Sequence, residues 1–307
     1  MAQAVLDPPV TDKALVRRKP RRNSDRGLVV LALPAVVWYV AFTIGPVVAM
    51  FVIAFTNWRG LNAPVNFNGD DNFVKLLHDD RILTAAKNTA IQLAATIPVM
   101  MVTSFMLGYF LNLKLPGHRL LRVIMFIPAL ISVSSLGMLF VAVLGPTGLV
   151  NSVLQEFHWA QGTAWLADPR TAMLCLIGVS LWSGIGFTSI LFAARLSAID
   201  DDIYAAAEID GANHWQKMWQ VAYPICRDYF GVVTMLQFLW NLFGSSALIL
   251  ILTRGGPDEA TSTLSWLIYR FGFREPRVGY SQTVGLLLFV IGVIGLVGIR
   301  RAFKARY

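Results

Sequence analysis

Charge is what this sequence has least of. Only 14% of its 307 residues are Asp, Glu, Lys or Arg, against 56% hydrophobic, and the mean hydropathy is +0.58. Soluble domains carry roughly a quarter charged residues, so a soluble globular class is excluded and an integral membrane protein is implied. Cysteine is scarce as well. Cys175 lies inside an apolar run and Cys226 at the edge of a polar loop, and two cysteines cannot build a disulfide framework; both read as unpaired structural thiols. His78, His118, His158 and His214 fall in separate loops without metal-ligand spacing. There is no G-x-x-x-x-G-K-[ST] run, no G-x-S-x-G and no pair of carboxylates within a site. The chain is therefore expected not to be an enzyme by itself and to carry no metal or cofactor of its own.

Six long apolar runs account for most of what is present, near residues 28–55, 88–113, 123–144, 171–194, 229–253 and 278–299. Each suffices to cross a hydrocarbon core, which takes about 20 helical residues. The runs are continuous rather than alternating, which excludes β-barrel strands. The fold class expected is an all-α integral membrane protein of six transmembrane helices with both termini on the same side. None of the six runs contains Asp, Glu, Lys, Arg or His. Intramembrane ionisable groups mark proton relays, ion-coupled carriers and voltage sensors, so the power for any transport should come from outside the membrane. Pro34, Gly45, Pro46, Pro98, Pro128, Gly184 and Gly186 interrupt the runs, as transporters and other polytopic proteins both allow.

The net charge of +8 has a topological explanation. With the N-terminus inside, seventeen of the 26 lysines and arginines fall in inner segments and nine outside, while the 18 acids divide equally. All of the net positive charge is then cytoplasmic, as the positive-inside rule requires, and no nucleic-acid partner is needed. Residues 1–27 form a basic tail holding Pro8, Pro9 and Pro20, expected to be disordered and cytoplasmic. The first run is too long for the apolar core of a signal peptide and lacks a small-residue cleavage site after it, so no cleaved leader is expected. A cytoplasmic C-terminus is expected over 304–307.

The most informative stretch is the polar loop within 196–228, above all 204–224. Asp200, Asp201 and Asp202 supply capping carboxylates ahead of a short helix from Tyr204 to Gly211. Gly211 lets the chain leave by a left-handed turn. Trp215, Met218, Trp219 and Ala222 then recur at i, i+3, i+4 and i+7, giving a second helix an apolar face that Pro224 should end. A helix, a glycine hinge and a helix on one side of a membrane suit docking to a partner.

Ala206, Ala207, Glu208, Ile209, Asp210, Gly211 and Ala212, with Val221 and Pro224 downstream, resemble the cytoplasmic EAA loop of permease subunits of bacterial binding-protein-dependent ABC importers. The family glutamate falls on Ala205, a departure. The likeness runs on in order along residues 28–303. Phe55-Thr56-Asn57-Trp58 resembles the exit of the family's first helix, Arg122 with Phe126-Ile127-Pro128 the start of the third, and Gly148-Leu149-Val150-Asn151 its exit. Trp182-Ser183-Gly184-Ile185-Gly186-Phe187, then Ala194-Arg195-Leu196 and Ile199, resembles the approach to the loop in sugar-type permeases, with Asp200 where the family has proline. Leu252-Thr253-Arg254-Gly255-Gly256-Pro257 resembles the end of the fifth helix.

This resemblance implies a type I importer permease of the maltose, glycerol-phosphate and multiple-sugar kind in a bacterial cell membrane. It implies a heterodimer with a second homologous permease, an ATP-binding subunit dimer docked on the loop, and an extracytoplasmic solute-binding protein. ATP and Mg would be held by the ATPase, and the permeases would alternate between inward-open and outward-open states. The coupling residues implied are Ala206, Ala207, Glu208, Asp210, Gly211, Ala212 and Pro224; the plain alternative is a capped helix–turn–helix with no partner. For the substrate path, Gln237, Asn241 and Ser245 share one helical face beside Phe238 and Trp240, and amides with aromatic platforms suit sugars. Interhelical hydrogen bonding explains the same face equally. The resemblance adds Trp182, Ser183, Gly184 and Phe187. Trp58, Trp159, Trp165 and Trp266 read as interface anchors. The competing classes are a secondary carrier, which should show inverted repeats or buried charge, and a membrane scaffold protein.

Overall fold

Backbone in lipid has no water to bond, so continuous apolar runs satisfy their N–H and C=O groups as helices. The computed structural model is helical nearly throughout and describes residues 24–60, 62–113, 115–159 and 162–304. The basic tail lies outside the described residues as far as position 23. Among the described residues, five helices are long and apolar enough to cross a membrane: α1 (Leu31–Ala54), α2 (Asp80–Asn112), α5 (Ala172–Leu196), α7 (Arg227–Leu252) and α9 (Val278–Phe303). The third apolar run differs from the single helix expected. It forms α3 (His118–Leu130) and α4 (Val133–Val143), bent by 100°, and the count reaches six if this pair is one span.

Pro128 lies inside α3, but the break itself falls at Ile131 and Ser132, both extended. There the Ser132 hydroxyl accepts the Ser135 N–H and caps α4. The new cap explains why the chain restarts a helix in a new direction instead of merely kinking.

The chain divides into two compact units, residues 1–49 and 50–307. In the first, the helix Ser24–Tyr39 contains Pro34 and passes into a π-helical turn at Val40–Ile44, closed by the Gly45 N–H on the Val40 carbonyl. Pro46 has no N–H to offer the preceding turn, and a wider turn is one way to pass such a gap. In the second unit α2 and α5 make the most extensive helix pair, with α3 against α5 and α7 against α9 and α4. Gly186 of α5 permits the approach to α3, since a Cβ there would fall 1.6 Å from the Met125 carbonyl oxygen.

Buried polar side chains tie the unit together. Asn88 of α2 donates to the Glu259 and Ser262 carbonyls at 2.8 and 2.9 Å, and the Thr89 hydroxyl accepts from the Leu264 N–H at 3.0 Å. These bonds hold the 253–263 connection and the helix α8 (Leu264–Tyr269) against α2. Trp266, expected as an interface anchor, is instead one of the most buried side chains. Asn151 is fully buried and bonds the Gly145 and Thr163 carbonyls, the Thr163 N–H and the Trp165 indole. Cys175 and Cys226 are both free thiols.

Candidate functional site: the 196–228 loop and the helices beneath it

The loop forms as its capping residues dictate. Asp200 accepts the Asp202 N–H and starts α6 (Asp201–Ile209), with Asp201 and Asp202 in the first turn, where the helix dipole favours acids. The helix ends in a Schellman motif: the Ala212 N–H bonds the Ala207 carbonyl at 2.9 Å and the Gly211 N–H bonds the Glu208 carbonyl at 3.0 Å. Gly211 takes φ of +81°, a left-handed conformation that side chains resist. Asn213 and Gln216 then close a reciprocal capping box, each bond 2.9 Å.

Beyond that cap the chain turns once as His214–Gln216 and widens to a π-helical turn, Lys217–Ala222. Met218 and Ala222 are buried as the apolar spacing predicts, Trp219 is half-buried, and Trp215 stays exposed. Pro224 does not end this segment. It sits at the start of a further helical turn, Tyr223–Ile225, where a missing N–H costs nothing, and the break comes at Cys226.

An aromatic cluster anchors this second half. The Phe105 ring of α2 lies 5.5 Å from that of Trp219, tilted to it, and meets Phe230 and Phe192 of α5 edge-on at 5.3 and 5.4 Å. Leu196, Met218, Ala222 and Cys226 complete the cluster. Burial pushes the Cys226 thiol up. It also pushes the Tyr204 hydroxyl to about 12, so at neutral pH both are uncharged.

The first half is presented instead. No residue of α6 is fully buried, and Ile209 is 86% exposed. Ala206, Glu208, Asp210 and Gly211 are exposed; Ala207 and Ala212 are half-buried. Pro224 is exposed too, on the far side of the anchored segment.

The substrate-path candidates divide between the interior and the surface. Gln237, Phe238, Asn241 and Ser245 are all buried. Gln237 donates to the Thr188 hydroxyl at 2.7 Å, Asn241 donates to the Gln237 carbonyl at 2.9 Å, and Ser245 meets the Ser265 hydroxyl at 2.7 Å. Gln237 and Ser245 thus bond across to α5 and α8, while Asn241 bonds back within α7. Trp182 and Phe187 are exposed, Trp182 edge-on to Phe140 at 5.3 Å, and Ser183 and Gly184 are half-buried. Trp240, expected beside the amides, is exposed while they are buried.

A large cleft lies at the other end of α2, where sequence reasoning named no site. It encloses about 1200 Å³ among Asn57, Trp58, Asn68, Lys75, Asp79 and Tyr280, with Arg81, Glu275 and Arg277. Asp79 accepts from Arg81 at 2.8 Å and from the Tyr280 hydroxyl at 3.0 Å, and Arg270 pairs with Glu275 at 2.6 Å and with Glu259. The 33 residues of α2 separate this network from the loop, a distance of about 50 Å at 1.5 Å per residue.

The sequence profile described as binding-protein-dependent transport system inner membrane component matches residues 100–306, more than half of the chain. The multiple sugar-binding transport system permease of Streptococcus mutans is 29% identical over 288 residues, 92% of this chain and 97% of the relative. The diacetylchitobiose uptake system permease of Streptomyces coelicolor is 28% identical over 309 residues, 90% of this chain and 83% of the relative. A bacterial alginate ABC transporter, crystallised with a periplasmic protein bound to an alginate pentasaccharide, superposes with a TM-score of 0.81 over 93% of this chain and 98% of that one, at 22% identity. The fold is thus that of an ABC importer permease, and this multi-pass membrane protein belongs to the family of binding-protein-dependent transport system inner membrane components.

Proposed function

We propose that this chain is the transmembrane permease subunit of an ATP-driven importer. It would carry a sugar or sugar-like solute, delivered by an extracytoplasmic binding protein, into the cytoplasm by alternating access. The observation that carries this reading is the division of labour within the loop. Its second half is locked by aromatic packing onto α2, α5 and α7, while α6 buries none of its residues and offers Ile209 and Ala206 outward, with Asp210 exposed just beyond its end. Such a loop can receive a push from a partner and hand it to the spanning helices. The apolar runs contain no ionisable group that could do this work internally.

The partner in this reading is a dimer of ATP-binding subunits that holds ATP and Mg, with a second homologous permease completing the channel. Both termini and the loop lie on the cytoplasmic side, in line with the distribution of lysine and arginine. The relatives' names favour carbohydrate as the solute, and the polar cleft at the far end of α2 is the side on which the solute arrives. Expression with the neighbouring subunits, followed by purification through a tag on this chain, tests the assembly: an ATP-binding subunit and a second permease should co-purify. A chain that purifies alone, and supports solute uptake in vesicles without ATP, would instead be a secondary carrier.

A further inference from the structure

Lys217 is the one lysine among the described residues that is buried. Its side chain is only 8% exposed, although it sits in a polar loop where a lysine ordinarily keeps its ammonium in water. Its Nζ lies 3.3 Å from the Glu208 carboxylate, whose own side chain is 70% exposed. The two residues stand on either side of Gly211. Glu208 belongs to the last turn of the presented helix α6, and Lys217 opens the anchored π-helical turn that buries Met218 and Ala222.

Gly211 brings no side chain to fix the angle between these halves, and an added Cβ would meet nothing within 4 Å. The Schellman and capping-box bonds define each helix end separately. The ion pair joins one half to the other directly across Gly211, alongside the half-buried Tyr204 of α6, which packs against the cluster that holds Met218 and Ala222. We infer that Lys217 and Glu208 form a clasp that holds α6 at a set angle to the anchored segment, so that displacement of α6 reaches α2, α5 and α7 instead of being absorbed at Gly211. This rests on the coupling role proposed above. Lys217 is thus a positioning residue that acts through α6, and Glu208 faces its own loop, not the site left empty by Ala205. An ammonium buried in this way keeps its carboxylate, because a buried charge left without its partner is strongly unfavourable.

The test uses the complete complex reconstituted in vesicles, with assembly of the wild-type chain with an ATP-binding subunit measured first. Solute transported per ATP hydrolysed is then compared for Glu208→Gln, Lys217→Met, the double variant and Lys217→Arg. Expected is a fall of about fivefold in each single variant and no further fall in the double, as residues acting as one unit behave. Lys217→Arg should return the ratio toward that of the wild type. A ratio unchanged in Glu208→Gln, or single effects that multiply in the double, overturns the clasp. Should Lys217→Met fail to fold, Glu208→Gln on the exposed side decides alone. A wild-type chain that assembles with no ATP-binding subunit overturns the coupling reading itself, and the clasp with it.

Discussion

Gln237 of α7 donates its amide to the Thr188 hydroxyl of α5 at 2.7 Å, and that hydroxyl donates in turn to the Gly184 carbonyl at 2.8 Å. The relay joins two spanning helices through a fully buried threonine. It also links two groups of residues singled out as a substrate path, the amide face of α7 and the segment from Trp182 to Phe187. Removal of either partner, as Gln237→Leu or Thr188→Val, should lower stability with a coupling of about 0.6 kcal/mol in a double-mutant cycle, the average for interhelical bonds in membrane bundles. Thermal unfolding of the purified chain in detergent measures it. A Gln237 that touched solute and nothing else would show loss of uptake with additive, near-zero effects on unfolding.

Gly211 is held at φ of +81° in open space, so the strain of a side chain there is conformational and not steric. Gly211→Ala should cost roughly 1 kcal/mol, and Gly211→Asn less, because asparagine tolerates the left-handed region. Gly211→Trp should additionally obstruct docking on the exposed face of α6. Its membrane level, followed by immunoblot, should match the wild type while uptake collapses. Asp210→Lys should behave in the same way.

Gly186 is limited by contact instead. A Cβ would lie 1.6 Å from the Met125 carbonyl oxygen, and backbone cannot swing aside as a side chain can. Gly186→Ala should therefore push α3 from α5 and destabilise by about 1–3 kcal/mol, as overpacking does. Unfolding temperature reads this directly, and the loss should exceed that of Gly178→Ala, where nothing lies within 4 Å.

The network at the far end of α2 carries a pH dependence of fixed sign. The Arg81 guanidinium, bonded to Asp79, holds its carboxyl below the ordinary value of 3.8. A depressed folded value gives stability that is present above the unfolded value and lost as pH falls through the folded one. Wild type should be more stable than Asp79→Asn at neutral pH, and the gap should close below about pH 4. Unfolding curves from pH 3 to 7 measure it; a gap independent of pH would remove the ion pair from the account.

Much of the loop was legible because its signals are local. Asp200 and Gly211 each fix a helix end by their own chemistry, and the structure uses both; the Asn213 capping box was not read from the sequence. The spans were legible because apolar length alone decides them. What sequence could not separate were residues whose meaning depends on the neighbour across the gap. Gln237, Asn241 and Ser245 share a face whether they meet solute or helix, and in the structure Thr188 and Ser265 occupy that side. Lys217 was not singled out, because nothing in its own segment announces a carboxylate nine residues back. Trp266 reads as an anchor until the connection ahead of it folds over α2 and buries it. Pro128 announces a disturbance in the third run, but the 100° bend is completed by the Ser132 cap beyond it.

Site-specific photo-crosslinking from α6 tests the central claim most directly. A photoreactive residue at Ile209, the most exposed apolar position of the helix, is introduced into the chain expressed with its neighbouring subunits, and the captured protein is identified by mass. The account predicts an ATP-binding subunit at position 209, and none from Val232, which is exposed on the side of α7. Capture of no ATP-binding subunit at position 209, in cells that take up solute normally, would contradict it.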